Sequence, residues 1–298
     1  HKVVLAYSGG LDTSFCILHL TRDKGLEVHA LTVDTGGFSA EQLKTMEERA
    51  LALGAKSFRV ANALQDYYDQ CIRYMVFGNV LRNNTYPLSV SAERMFQAIE
   101  TAKYAQEIGA GAVAHGSTGA GNDQVRFELG YYALMPGVKV IAPWREWEFE
   151  GRPQLIAYAK QHGIPIAQGK EEAAPFSIDA NLLHTSSEGL ALEDPDVEVP
   201  EIVTKRGDRR TITPEEAPDQ AETITLSFER GDLVAINGKP MKAHELLTEL
   251  NRLGSKHGIG GLDLVRCGVS LGCLLSRLRC ALAEQLLAGF LDKAHQAH

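Results

Sequence analysis

The run Ala6-Tyr7-Ser8-Gly9-Gly10-Leu11-Asp12-Thr13-Ser14 gathers three hydroxyls and a carboxylate around a Gly-Gly pair, between an apolar strand pattern and a helical one. Glycines let the backbone turn tightly and approach a ligand with no Cβ in the way. Free N–H groups at the start of the following helix, with the hydroxyls of Ser8, Thr13 and Ser14, would then form an oxyanion cradle. The spacing matches neither GxGxxG nor GxxxxGK[ST], which disfavours a dinucleotide turn and an ordinary P-loop. The bland alternative is a Gly-Gly turn with Asp12 as a helix cap. A second string, His115-Gly116-Ser117-Thr118-Gly119-Ala120-Gly121-Asn122-Asp123-Gln124-Val125-Arg126-Phe127-Glu128, follows another strand pattern. Asn122 or Asp123 can cap a helix beginning near Gln124, so Asn122, Asp123 and Arg126 crowd one helix mouth with both charge signs. That suits a zwitterionic amino acid, since arginine forks to a carboxylate and aspartate accepts from an ammonium. A capped helix with a surface Arg–Asp pair is the plainer reading. His115 is a candidate proton acceptor, although a histidine ending a buried strand is more often structural.

These strings need elements to hold them. Apolar runs predict strands over residues 2–8, 28–35, 57–61, 111–115 and 138–143. Helical spacing predicts helices over 12–23, 40–53, 63–77 and 92–108, the last with Met95, Phe96, Ile99, Ala102 and Ala105 on one face. Alternation of this kind implies a doubly wound α/β fold, a parallel sheet covered on both faces. Beyond about residue 151 the pattern loosens into a helix over 154–161, an extended 163–166, and a Pro- and charge-rich connection over 193–222. Residues 223–228 and 233–236 with Asn237-Gly238 suggest a hairpin, because Asn-Gly supplies positive φ. A helix over 243–253 follows. Leu271, Leu274, Leu275, Leu278, Leu282 and Leu286 fall at helical spacing and predict an amphipathic helical tail. The division expected is 1–165 for nucleotide binding, 166–265 for a partial α+β domain, and 266–298 for the tail.

Composition narrows the classes. The 298 residues are 44% hydrophobic and 23% charged, so disordered and fibrous readings fail. A net charge of −8 argues against a general nucleic-acid binder. No run is apolar enough to span a membrane, and the segment from His1 shows no signal peptide. The five cysteines (Cys16, Cys71, Cys267, Cys273 and Cys280) form no CxxC pair, which argues against structural zinc and for a reducing, cytoplasmic setting.

The nonamer at residues 6–14 resembles the PP-loop of the ATP pyrophosphatases, which split ATP to AMP and pyrophosphate. Together with the string at 115–128, the chain resembles the argininosuccinate synthase family. Further stretches agree: Ile141-Ala142-Pro143-Trp144-Arg145, Tyr158-Ala159-Lys160-Gln161-His162-Gly163-Ile164-Pro165 and Phe176-Ser177-Ile178-Asp179-Ala180-Asn181-Leu182. The resemblance runs from Val3 to about Val265. It implies a PP-loop nucleotide-binding fold and a ligase of arginine biosynthesis, in which citrulline and aspartate condense at the expense of MgATP. It also implies ATP contacts at Ala6, Tyr7, Ser8, Gly9, Gly10, Leu11, Asp12, Thr13, Ser14, Val33 and Gly116. Citrulline contacts would be Tyr86, Ser91, Asn122, Arg126, Ser177 and Ser186; aspartate contacts would be Thr118, Asn122 and Asp123. The implied setting is a cytoplasmic homo-oligomer, a tetramer by resemblance, with no nucleic-acid or membrane partner, no resident metal and no dedicated general base. Two departures stand out. Ala120 occupies a position where the family usually has lysine, and after Lys256-His257-Gly258-Ile259-Gly260-Gly261-Leu262-Asp263 an expected acidic residue and a tyrosine have no counterpart. These departures leave two other readings, a nucleotide-binding remnant without turnover and a ligase for a modified citrulline.

Overall fold

A computed structural model describes residues 1–82, 86–117, 121–147, 154, 157–158, 177–188, 192, 214–259 and 278–279. The chain divides into two compact units, each assembled from separate stretches of sequence. The first comprises His1–Asp34, Ala40–Ala63 and Ser91–Ala173.

Its sheet is built from β1 (Lys2–Ala6), β2 (Glu27–Asp34), β3 (Ser57–Asn62), β4 (Ala112–Ala114) and β5 (Lys139–Ile141), in the order β3-β2-β1-β4-β5. All four pairings are parallel. β1 is apolar on both faces, and both it and β2 are buried through their centres, as a sheet covered on two sides requires. The helices are α1 (Leu11–Leu18), α2 (Ala40–Ala52), α3 (Ser89–Glu107, whose first two residues belong to the second unit) and α4 (Asn122–Leu134). One core joins Val4, Leu31 and Val113 of the sheet to Ala98 and Ala105 of α3 and Phe127 and Tyr131 of α4. The expected helix over 12–23 is an α-helix to Leu18 that widens into a π-helical turn over His19–Asp23. The Phe15 ring meets Trp147 edge-on at 4.3 Å between centroids and so anchors α1. Strand order reverses between β1 and β4: β2 and β3 lie to one side, β5 to the other. In open α/β sheets, ligands bind outside the carboxyl ends of the strands at such a switch point.

The second unit comprises Thr35–Ser39, Leu64–Val90 and Ala174–His298. Leu64–Val90 therefore belongs here, although its place between strand patterns reads as part of the first domain. The expected helix over 63–77 is found as Leu64–Tyr67 and Arg73–Phe77 with a π-helical turn, Tyr68–Ile72, between them. β6 (Ser177–Ala180) and β7 (Thr185–Glu188) pair antiparallel. β8 (Leu226–Glu229), β9 (Asp232–Ile236) and β10 (Lys239–Pro240) make an antiparallel meander. The Asn-Gly expectation needs a correction. Asn237-Gly238 turns β9 into β10, whereas β8 and β9 are joined by Arg230-Gly231; all four residues have positive φ, between 50° and 87°. An arginine in that region gives no sequence signal. α5 (Ala243–Lys256) buries Leu246, Leu250 and Leu253 along one stripe. Leu278–Arg279 forms β11, antiparallel to β7, so the expected tail helix is contradicted at those two residues by a sheet edge that takes up their backbone groups. The rest of that tail, most of the expected 154–161 helix, the extended 163–166 and residues 193–213 lie outside the described residues. No helix among the described residues is long and apolar enough to cross a membrane.

Candidate functional site

β1 delivers the chain to the Gly-Gly loop, and hydrogen bonds hold that loop open. The Tyr7 N–H donates to the Leu31 carbonyl at 2.8 Å, and Thr32 Oγ1 returns a bond to the Tyr7 carbonyl at 2.8 Å. Tyr7 Oη lies 3.2 Å from Ser14 Oγ, and Ser8 Oγ lies 3.1 Å from Thr13 Oγ1, so the hydroxyls brace the loop across its mouth. Burial raises the Tyr7 phenol pKa despite the Ser14 bond and nearby Arg49, so Tyr7 stays neutral. Gly9 has φ of +73° and lies against Met46 of α2, while Arg49 Nη1 donates to the Gly9 carbonyl at 2.8 Å. α1 begins at Leu11 with Gly10 as its N-cap and no side-chain cap bond. Asp12 therefore sits inside the first turn and not at the cap. A glycine cap leaves the first N–H groups of the helix without a side-chain oxygen to bind, which favours an incoming anion.

The second string enters from β4, the neighbour of β1 across the switch point; Leu5 pairs with Ala114. A Cβ on Gly116 would lie 2.7 Å from Thr13 Cγ2, so the two glycine-rich strings touch, and only glycine allows it. α4 starts at Asn122 with Gly121 as N-cap and no side-chain cap bond, which corrects the expected Asn122 or Asp123 cap and a start near Gln124. Freed from capping, Asp123 stands between two guanidiniums: its Oδ1 accepts from Arg126 Nη1 at 2.7 Å and its Oδ2 from Arg94 Nε at 3.0 Å. Burial would raise its pKa, but Arg94 and Arg126 outweigh burial and hold the carboxyl below the usual carboxylate range. Nothing in the spacing of Arg94 in the sequence marks it as Asp123's partner. His115 is spent on structure. Its Nδ1 accepts the Ser117 N–H at 3.2 Å, its Nε2 faces Glu128 Oε1 at 3.3 Å, and its ring stacks on Phe127. Burial pushes its pKa down, which Glu128 partly opposes.

Val33 is buried near the end of β2, Ser91 is half-buried at the start of α3, and Asn122 is exposed. Thr118, Gly119 and Ala120 lie outside the described residues. Three expected citrulline contacts belong to the second unit. Tyr86 sets its ring edge-on to His184 at 5.3 Å, Ser177 lies in β6, and Ser186 is buried in β7 opposite Asp179. Beside them lies a cluster that sequence reasoning missed. Ser89 Oγ bonds His184 Nδ1, and Asn181 Nδ2 donates to Ser89 Oγ at 3.2 Å. Asn181 Oδ1 also accepts the N–H groups of Leu183 and His184, at 3.0 and 3.2 Å. No periodicity links residue 89 to residues 181–184. Among the described residues, no group of three or more His, Cys, Asp or Glu is placed to hold a metal ion.

Residues 2–165 match the family model for the arginosuccinate synthase N-terminal HUP domain, and residues 176–272 match the arginosuccinate synthase C-terminal domain. The chain belongs to the argininosuccinate synthase family. Among curated relatives, the argininosuccinate synthase of Hyphomonas neptunium is 50% identical over 268 residues, covering 89% of this chain and 63% of that protein. That of Azoarcus sp. is 51% identical over 269 residues, covering 89% and 64%. The chain thus spans just under two thirds of the length of the family members it matches. Family membership places both strings, and the sheet end where they touch, within one shared architecture.

Proposed function

We propose that this chain is an ATP-dependent ligase that condenses citrulline with aspartate to give argininosuccinate, AMP and pyrophosphate. The observation that carries this reading is the close approach of Gly116 to Thr13, which brings the second glycine-rich string against the Gly-Gly loop at the switch point between β1 and β4. Residues 6–14 would take the β and γ phosphates of MgATP on backbone N–H groups and hydroxyls, with Val33 and Gly116 toward the adenosine. The ureido oxygen of citrulline is a weak nucleophile, so the rate depends on holding it in line with the α-phosphorus. Its attack forms a citrullyl-adenylate as the bond to pyrophosphate breaks, and the loop donors stabilise the leaving charge. The amine of aspartate then displaces AMP. Arg126 would bind the citrulline carboxylate, Asp123 the aspartate ammonium with Thr118, and Asn122 both substrates. Tyr86, Ser91, Ser177 and Ser186 are carried over as further citrulline contacts. Both nitrogens of His115 are engaged, which supports a mechanism of positioning without a dedicated base. A role in arginine biosynthesis, a cytoplasmic location and a homo-oligomeric state go with the same reading.

The test is pyrophosphate release from the purified chain with MgATP, with and without each amino acid. Release that needs citrulline, with argininosuccinate formed only when aspartate is added, is the expected result. ATP binding without release overturns it in favour of a nucleotide-binding protein. Release with an acylated citrulline but not with citrulline itself overturns the choice of substrate.

A further inference from the structure

We propose that Arg94 is a positioning residue that holds the Asp123 carboxylate in the orientation and charge state needed to receive the amino group of the aspartate substrate. The inference rests on the reading above, in which Asp123 meets that amino group. The geometry begins with two helices in close approach: a Cβ on Gly130 of α4 would lie 2.6 Å from Ala98 Cβ of α3. Arg94 lies four residues before Ala98, one helical turn away on the same face, and so reaches the first turn of α4. Its side chain is only 13% exposed, and Nε meets Asp123 Oδ2 at 3.0 Å. The guanidinium is itself steered, with Nη1 3.5 Å from Gln97 Oε1 and 3.9 Å from Glu93 Oε1. Glu93 is buried, and its Oε1 accepts from Gln97 Nε2 at 2.9 Å. Arg94 is therefore a braced group and not a surface arginine that happens to pass near a carboxylate.

The division of the carboxylate follows from that bracing. An ionised carboxylate offers about four lone-pair directions on two oxygens. Arg94 occupies one on Oδ2 and Arg126 one on Oδ1, which leaves one on each oxygen for an ammonium. Arg126 lies three residues along the same helix as Asp123. Without Arg94, it would draw both oxygens into a bidentate pair, the arrangement guanidinium and carboxylate prefer. Both vacant directions would then turn away from the substrate. The second cation also helps keep a part-buried carboxylate ionised, in line with the depressed Asp123 pKa.

The experiment uses the whole chain and measures KM for each of the three substrates with the other two saturating. Arg94→Gln is expected to raise the aspartate KM by about tenfold or more, the scale of one charge-assisted hydrogen bond. Smaller changes are expected in kcat and in the KM for MgATP. Arg94→Lys is expected to recover part of the lost affinity. Combining Arg94→Gln with Asp123→Asn is expected to do no more harm than Asp123→Asn alone, because the arginine acts through that carboxylate. An unchanged aspartate KM, equal rises for all three substrates, or additive losses in the double variant would overturn the proposal. If Arg94→Gln fails to fold, the lysine variant carries the comparison. Calorimetric binding of aspartate, with citrulline and a non-hydrolysable ATP analogue present, separates the two levels of inference. Wild-type binding without turnover overturns the ligase reading and leaves Arg94 to be judged by its effect on that binding; no wild-type binding overturns both.

Discussion

The carboxyl end of the first unit's sheet and the Ser89–Asn181–His184 cluster of the second unit handle polar groups in opposite ways. At the sheet end, two helices begin at glycine caps that make no side-chain bond to the first turn. In the cluster, Asn181 supplies the oxygen that satisfies two backbone N–H groups, and Ser89 and His184 close on each other in a buried pocket of polarity. One arrangement makes no side-chain cap, as an anion site proposed there requires; the other spends its side chains on the fold.

The sharpest way to break that contrast is acid. Burial pushes His184 down to about 4. An unfolded histidine takes up its proton near 6.5, so between about pH 6.5 and about 4 the unfolded chain binds a proton that the folded one refuses. Stability then rises with pH through that window and is lost as pH falls through it, by up to about 3 kcal/mol. Urea unfolding at pH 7 and pH 4.5 is expected to show this loss in the wild type and a smaller one in His184→Asn, which keeps a polar atom near the Nδ1 position. The next effect belongs to the sheet end. Gly116→Ala forces a methyl group into Thr13, and the displaced loop is expected to lower citrulline-dependent pyrophosphate release by about hundredfold, the scale of an ångström's misplacement at a reacting centre. His184→Asn is expected to leave MgATP affinity unchanged when measured by calorimetry; a matching loss would erase the distinction between the two regions. The smallest effect should lie on the first unit's surface. Arg59 pairs with Glu107 at 2.7 Å, both largely in solvent. Arg59→Gln is expected to cost about 0.5 kcal/mol in urea unfolding, and less in high salt.

Legibility in the sequence followed the same line. The strands that form the sheet, the Gly-Gly loop and the second glycine-rich string could be read because strand periodicity and glycine spacing are local signals. Their meeting at Gly116 and Thr13 depends on β1 and β4 lying side by side, which alternation of strands and helices does not by itself fix. The caps were misread: aspartate and asparagine are the usual capping residues, and here glycines hold those positions while Asp123 turns to Arg94 and Arg126. The pairing of residue 94 with 123, and of 89 with 181 and 184, depends on tertiary approach that no local pattern encodes. The Arg230-Gly231 turn escaped for a related reason, since an arginine at positive φ is set by the hairpin around it.

The interleaving of the two units bears on the order in which the chain can acquire structure as it is made. The first unit's sheet is complete once β5 has been synthesised, because its five strands end at Ile141. By then Leu64–Val90 has also been made, yet Ser89 must wait for Asn181 and His184, 92 and 95 residues further along. Domains of a growing chain generally fold from the amino terminus as units, at about 5–20 residues per second. A segment of the second unit is thus carried for several seconds on a sheet already formed, without its final partners. A fragment cut near residue 165 would hold that segment in the same state permanently, so separating this chain into two independently folding halves requires moving residues 35–39 and 64–90 and not merely choosing a boundary.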